Sequence, residues 1–431
     1  MRSNYKKLGP YIREVDIRNR ENKKSNLLGV STKKVFIESI ANTVGTNFKR
    51  YKVVRKGQFT YVPDTSRRGD RIGIALLDTY EEAIVSQAYT VFEIVDRDEL
   101  LPEYLMMWFR RPEFDRYARY MSHGSVRELF GWEEMCDVEL PVPSLEKQRE
   151  IVKEYQTIVN RIKLNEQLNQ KLEETAQAIY KQWFVDFEFP ISAEYAAAIG
   201  KPVLEGKPYK SSGGAMVYNE KLDQEIPKGW KSGQLGSLVE VVNGYAFKSE
   251  EFCDAGNIPV VKIKNIQPPS VSLDECHYFE GEINEKLKKY VTEPGDILIS
   301  MTGSHMNQMG SAVGKIGRYN RKRVSLLNQR VGKLKPIHGN TCSEYVYHFI
   351  SRKETHYELL LGATGSANQA NISPDQIRSL TIVIPATLYL EFFEKLASAL
   401  NRKIILNDYA NNFNFAFRDL ILLKNILGKA A

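Results

Sequence analysis

Cysteine is scarce in this chain, four in 431 residues, and Cys136, Cys253, Cys276 and Cys342 stand too far apart to make a CxxC pair. A disulfide scaffold and a structural zinc site therefore have no framework, and inert thiols are expected. No apolar run approaches the roughly 18 residues that cross a bilayer. The opening Met1-Arg2-Ser3-Asn4-Tyr5-Lys6-Lys7 also lacks the apolar core of a secretion signal. The chain is expected in the cytoplasm, away from membranes.

Catalytic signatures are missing as well. No glycine-rich cofactor loop is followed by an (N/D)PP(Y/F) motif, so methyl transfer by this chain is not expected. The run Gly310-Ser311-Ala312-Val313-Gly314-Lys315-Ile316 resembles a phosphate loop but places Ile where Ser or Thr should follow the lysine. Pro63-Asp64 and Glu205-Gly206-Lys207 lie too far apart for a nuclease triad, and the six histidines form no HxxxH or HExxH set. These absences predict a chain with no catalytic residues, no metal site and no cofactor of its own.

What is present is ordinary for a globular protein: 42% hydrophobic and 26% charged residues, enough for two or three domains with real cores. Lys and Arg exceed Asp and Glu by seven charges, which is compatible with a nucleic-acid partner without establishing one.

The organising feature is an internal repeat. An offset of 242 residues carries Pro143 onto Pro385, Ile151 onto Phe393, Ile158 onto Leu400, Ile162 onto Ile404, Asn165 onto Asn407 and Asn169 onto Asn411. Upstream, with small insertions, Gly124-Ser125 matches Gly365-Ser366 and Lys7-Leu8-Gly9 matches Gln234-Leu235-Gly236. Each copy opens with short β-rich runs broken by Gly and Pro, as at Tyr89–Val95 and Ile258–Ile263, and closes with short helices. Ser373-Pro374-Asp375-Gln376 is one such start, a capping box with Pro at the first helical position.

After each proline the pattern becomes a long heptad helix. Ile151, Ile158, Ile162, Asn165 and Asn169 form the first seam; Leu400, Ile404, Asn407 and Asn411 form the second. A helix of about 40 residues is roughly 60 Å long, more than one small domain can cover, so the two helices are expected to pair. Seam asparagines would fix their register and orientation.

The predicted fold class is α+β: two tandem α/β domains, each followed by a long helix, with the helices forming an antiparallel coiled coil of pseudo-two-fold symmetry. The expected boundaries are a first globular domain at 1–143, a central long helix at 144–189, a linker at 190–225, a second globular domain at 226–385 and a distal long helix at 386–431.

Basic and amide side chains cluster beside glycines in both copies. They are Lys49, Arg50, Arg67, Arg68 and Arg71 in the first, and Lys262, Lys264, Asn307, Gln308, Arg318, Arg321, Lys322 and Arg323 in the second. Arg reads guanine and Asn or Gln reads adenine in the major groove, while further cations neutralise phosphates. These thirteen are the candidate DNA contacts.

The chain resembles the specificity subunits of type I restriction-modification systems. The resemblance rests on Ile226-Pro227-Lys228-Gly229-Trp230, then Leu235-Gly236, Gly244-Tyr245-Ala246-Phe247-Lys248 and Ile258-Pro259-Val260-Val261-Lys262-Ile263. It rests further on Leu140-Pro141-Val142-Pro143, on Lys147-Gln148 and on Trp183-Phe184-Val185-Asp186-Phe187. The first copy lacks the Ile-Pro-x-Gly-Trp opening, and the second lacks the Trp-Phe-x-Asp-Phe close.

The resemblance implies two target-recognition domains, each reading one half of a bipartite site in double-stranded DNA, with the helices setting the gap. It implies two methyltransferase subunits carrying S-adenosylmethionine, and restriction-translocase subunits carrying ATP and Mg. Trp183, Phe184, Asp186 and Phe187 are the candidate docking residues for the methyltransferase. A scaffold with two protein-binding heads is the alternative, distinguished by whether binding to random DNA weakens steeply with salt.

Overall fold

The computed structural model describes residues 5–39, 45–66, 71–124, 127–304, 313–337, 342–366 and 369–424. The chain divides into two compact units, Met1–Leu164 with Asn411–Ala431, and Asn165–Ala410. The central helix, Leu145–Phe184, and the distal helix, Thr387–Lys424, each contribute to both.

The first unit holds two four-stranded sheets. One is antiparallel, in the order Ile12–Val15, Thr90–Ile94, Phe59–Tyr61, Ile74–Leu76. The other orders Phe36–Glu38, Leu27–Val30, Glu82–Val85, Lys52–Arg55, with Leu27–Val30 parallel to Glu82–Val85. The first sheet and the helices Pro102–Phe109, Pro112–Tyr120 and Trp132–Cys136 share an aromatic core in which Phe59 stacks on Phe92 at 4.8 Å and Phe109 meets both rings edge-on.

The second unit repeats the plan. A six-stranded sheet runs Val239–Asn243, Val331–Pro336, Asp296–Ser300, Ile316–Tyr319, Ser270–Val271, Ile266–Gln267, beside a five-stranded sheet that contains the parallel pair Ile258–Val261 and Ser325–Leu327. Three helices follow, Ser343–Ile350, Lys353–Leu361 and Pro374–Ser379. The capping box forms: Ser373 Oγ accepts from the Gln376 amide at 3.1 Å, and Gln376 Oε1 accepts from the Ser373 amide at 2.9 Å.

The duplication extends to single hydrogen bonds. In each copy of the repeat the opening strand pairs antiparallel with the strand that leads into the long helix, Tyr5–Lys7 with Glu139–Pro141 and Lys231–Gln234 with Thr381–Ile384. The amide of fully buried Leu8 donates to the Val138 carbonyl at 2.8 Å, and that of Leu235 donates to Leu380 at the same distance. Gly124 and Gly365 adopt φ of +139° and +146°, and a Cβ on either would collide with a backbone carbonyl, Arg127 or Gln369. Only glycine suits both positions.

Each long helix also caps the first short helix of its own domain, whose N-cap residue provides no side-chain cap. Gln148, wholly buried, accepts the Leu101 amide at 2.9 Å and donates to the Glu99 and Pro143 carbonyls. Glu394 accepts the Glu344 and Tyr345 amides at 3.1 and 2.8 Å. Each globular domain is thereby fastened to its helix by polar bonds as well as by packing. Gln148→Ala removes the partner of three part-buried backbone groups, the Leu101 amide and the Glu99 and Pro143 carbonyls. It is expected to destabilise the first unit by roughly 1–2 kcal/mol, read from urea denaturation followed by tryptophan fluorescence.

The helices pair antiparallel within each unit. In the first, Ile151, Val152 and Tyr155 share a core with Ile421 and Leu422, while Asn411 Nδ2 reaches the Ile162 carbonyl at 3.4 Å. In the second, Tyr180 packs on Phe393 and Asn407 Nδ2 donates to Asn169 Oδ1 at 2.8 Å. Asn169 Nδ2 in turn donates to Asp408 at 2.8 Å. Asn165, Asn407 and Asn411 are buried on the seam.

The segment expected as a linker is ordered and belongs to the second unit. Ala193–Ala198 is helical, Met216–Asn219 and Gln224–Pro227 form a hairpin, and Ile191 and Tyr209 enter the core beside Phe189, which follows the helix end at Phe184 and stacks on Trp230 at 4.8 Å. Its prolines and glycines mark turns between packed pieces. Among the described residues, no helix is long and apolar enough to cross a membrane.

Candidate nucleic-acid interface

In the first unit Lys49 and Arg50 are exposed on the short turn Phe48–Arg50, which is set by Asn47 accepting the Lys49 amide at 3.0 Å. Arg71 is exposed as well. Its position depends on a buried pair that the sequence did not reveal: Asp115 Oδ1 accepts both Lys34 Nζ at 2.7 Å and the amide of Ile72 at 3.1 Å. Lys34 also donates to the Phe109 carbonyl. Burial pushes the Lys34 pKa down, and Asp115 pulls it back toward the charged form. Arg67 and Arg68 lie outside the described residues.

In the second unit Lys262 and Lys264 occupy the turn Ile263–Asn265 and its N-cap, at one end of the parallel pair Ile258–Val261 and Ser325–Leu327; Arg321, Lys322 and Arg323 lie at the other end. Lys262 Nζ lies 3.9 Å above the Phe252 ring, and burial lowers its pKa, with Lys264 adding to the effect. Lys264 is exposed. Lys322 sits 4.6 Å above the Tyr409 ring of the distal helix. Arg323 clasps the Gly256 and Asn257 carbonyls, with its remaining surface exposed. Asn307 and Gln308 lie outside the described residues.

Arg318 differs from the expectation. It is 4% exposed, its guanidinium pairs with buried Glu344, and it lies 3.5 Å above the Tyr347 ring. Those contacts occupy its charge inside the protein: all four residues of the strand Ile316–Tyr319 are buried, while Lys322 and Arg323 in the turn after it are exposed.

The expected docking cluster divides in the same way. Phe184 and Phe187 are core side chains, against Tyr345 at 4.7 Å and Trp230 at 5.9 Å, and are sealed from any partner subunit. Trp183 is half-buried on Phe393, and Asp186 is held by Lys181 at 2.6 Å. The aromatic run closes the second unit's core around the end of the central helix.

A further cation–aromatic surface escaped the sequence reading. Lys286 Nζ donates to the Tyr245 hydroxyl at 3.2 Å and lies over its ring, Lys289 lies 4.9 Å from the Tyr290 ring, and Tyr245 contacts both Tyr290 and Phe247. The signal was the lysine-rich Lys286–Lys289 preceding Tyr290, which looks like a solvated loop until the fold places Tyr245 beside it.

Two similar units, each with exposed cations on loops beside a sheet, find their match among known proteins. The type I restriction modification DNA specificity domain matches the chain twice, at residues 3–174 and 227–407. The chain belongs to that family. A type I specificity subunit of this kind is the DNA-sequence-recognition component of its complex, not a catalytic chain.

Relatives include the MjaIX specificity subunit of Methanocaldococcus jannaschii, 24% identical over 340 residues, which span 78% of this chain and 71% of that one. The HindI specificity subunit of Haemophilus influenzae is 21% identical over 417 residues, spanning 88% and 87%. The crystal structure of the S subunit from M. genitalium shares the fold, with a TM-score of 0.52 and 14% identity, covering 98% of this specificity subunit and 95% of that chain.

Proposed function

We propose that each unit of this specificity subunit reads one half of a bipartite site in double-stranded DNA, while the paired helices set the spacer and dock two methyltransferase subunits. The observation that carries this reading is the double family match, each half running from its own recognition domain into its own long helix. Methyl transfer from S-adenosylmethionine then belongs to the methyltransferase chains, and ATP- and Mg-dependent cleavage to restriction subunits, in a cytoplasmic assembly.

The docking faces follow from exposure. In the first unit Phe413, Phe417 and Leu420 recur at i, i+4 and i+7 on the distal helix, and Phe413 is 78% exposed. In the second unit Phe392, Leu396 and Leu406 on the same helix and Leu168 on the central helix are exposed. A helix that already has a partner has no reason to keep such a face unless a further helix covers it. One face in each unit fits two methyltransferase subunits. These exposed stripes take over the docking role expected of Phe184 and Phe187.

The half-site division is tested by competition. Arg50→Ala with Arg71→Ala is expected to weaken the complex several-fold and to blunt discrimination in one half-site only. Arg321→Ala with Lys322→Ala should do the same for the other half. Binding of labelled parental duplex, competed with duplexes altered in a single half, reads the outcome. Equal loss in both halves from either pair would overturn the division.

A further inference from the structure

The two units share a tight hairpin that hangs beside a segment entering a candidate reading loop. In the first unit His123 and Leu129 exchange backbone bonds at 3.1 and 2.9 Å, and Leu129 also forms a backbone bridge with Asp64. In the second, Gln369–Asn371 pairs antiparallel with Thr364–Ser366 on one side and with Thr302–Gly303 on the other. Gly124 and Gly365 make the turns, at φ of +139° and +146°.

Both stems are fixed at their base. The amide of fully buried Phe130 donates to the Pro63 carbonyl at 2.9 Å, and that of Ile372, 4% exposed, donates to Met301 at the same distance. Both are also fixed along one side. The Thr65 amide and hydroxyl donate to the Glu128 carbonyl at 3.0 and 3.1 Å, which ties the first hairpin to the segment that runs on to Arg67, Arg68 and Arg71. The second hairpin is tied to Thr302–Gly303, which runs on to Asn307 and Gln308.

The offset of 242 that joins Phe130 to Ile372 also carries Arg127 onto Gln369. The two occupy the same place in their turns, because it is the carbonyl of Arg127 or Gln369 that a Cβ on the turn glycine would strike. Both residues are exposed, and among the described residues neither side chain has a hydrogen bond or ion pair. The neighbouring carboxylate, Glu128, is taken by Arg119 at 2.6 Å, which leaves the Arg127 charge free.

Arginine and glutamine are the side chains that pair bidentately with guanine and with adenine in the major groove. A phosphate clamp would keep a cation at both positions, whereas the second copy has a neutral amide. Base readout accounts for the exchange, since each copy then reads a different base from the same point on a rigid stem.

We propose that Arg127 and Gln369 are specificity-determining residues at equivalent points of the two half-sites, Arg127 reading a guanine and Gln369 an adenine. The proposal rests on the half-site reading above and adds one reader to each unit outside the basic clusters.

The test is selection of bound duplexes from a library randomised in both half-sites, using the full chain with its methyltransferase subunits. Arg127→Gln is expected to lower the guanine preference about tenfold at one position of one half-site, and Gln369→Leu to lower an adenine preference to the same degree in the other. Urea midpoints should not move, because neither side chain has a partner to lose. A loss of affinity in Arg127→Gln that is uniform across sequences, with a shallower salt dependence, would assign that residue to a phosphate and overturn the proposal. Base preferences unchanged in both variants overturn it too, as does loss of methyltransferase binding with the preferences intact. The alanine pairs at Arg50 and Arg71 and at Arg321 and Lys322, carried through the same selection, separate this failure from that of the underlying reading. If they still blunt one half each, the half-site division stands and only the hairpin readers fall.

Discussion

The stability advantage of the wild-type chain over Glu394→Gln is expected to fall by roughly 2–3 kcal/mol between pH 5 and pH 8. Glu394 is 6% exposed, and its carboxyl pKa is pushed up to about 7 by burial, against the pull of the Glu344 and Tyr345 amides. Neighbouring Glu344 raises it further, and Arg318 opposes. A carboxyl whose folded pKa exceeds its unfolded value binds its proton more tightly in the fold. Its contribution is full below the unfolded pKa, near 4.5, and is lost as the pH rises through 7. Glutamine keeps an acceptor for the two amides and cannot ionise, so the variant lacks this dependence.

His348 works in the opposite sense and makes the difference measurement necessary. It packs against Tyr180, Tyr347 and Phe393, both ring nitrogens lack partners among the described residues, and burial followed by the Arg318 charge holds its pKa well below 6.5. Its contribution is present in full above the unfolded value near 6.5 and is lost as the pH falls. The two profiles partly cancel in the wild type. Chemical denaturation of both proteins at pH 5, 6.5 and 8 isolates Glu394, because His348 is common to both. A difference that stays flat across that range would show that Glu394 does not titrate there.

The polar residues that matter most in these cores were the hardest to read from sequence. Gln148 lies in Lys147-Gln148-Arg149-Glu150 and Glu394 in Glu391–Lys395, runs that resemble the solvated face of a helix. Their role depends on which domain surface the helix meets, and that is set by contacts about 50 residues away. Lys34 and Asp115 are 81 residues apart, so no local pattern joins them. Arg318 sits among basic residues and shares their composition, but it lies on a strand buried at all four positions, with Glu344, 26 residues on, as its partner.

The repeat, by contrast, was legible because it is written in residues with few substitutes. A glycine at φ near +140° and an asparagine on a helical seam are each required by backbone or register, and both recur. The capping box was legible for the same reason, since its partners lie within four residues. Sheet order was not legible: parallel pairs such as Leu27–Val30 with Glu82–Val85 form between distant segments of similar apolar character.

Lengthening both helices by one heptad is expected to shift the preferred spacer by about three base pairs and leave the half-sites unchanged. The structure fixes where the insertions belong. Asn169 faces Asn407 and Asp408 in an antiparallel pair, so a heptad after Asn169 is matched by one between Leu406 and Asn407. Both breaks then fall at one level, and the asparagine bonds that set the register survive. An insertion after Asn411 instead would set Asn169 opposite new residues and forfeit them. Seven residues at about 1.5 Å each add roughly 10 Å, and duplex DNA rises about 3.4 Å per base pair. Three extra pairs also turn the second half-site by over a quarter of a turn at about 10.5 pairs per turn, so the DNA must twist and some affinity is lost. Selection from a library with randomised spacer length reads the result. An insertion in one helix alone should lose the Asn169–Asn407 bond and give a less stable chain with no defined new spacing. If the doubly extended chain keeps the parental spacing, the helices fasten the recognition domains without measuring the distance between their sites.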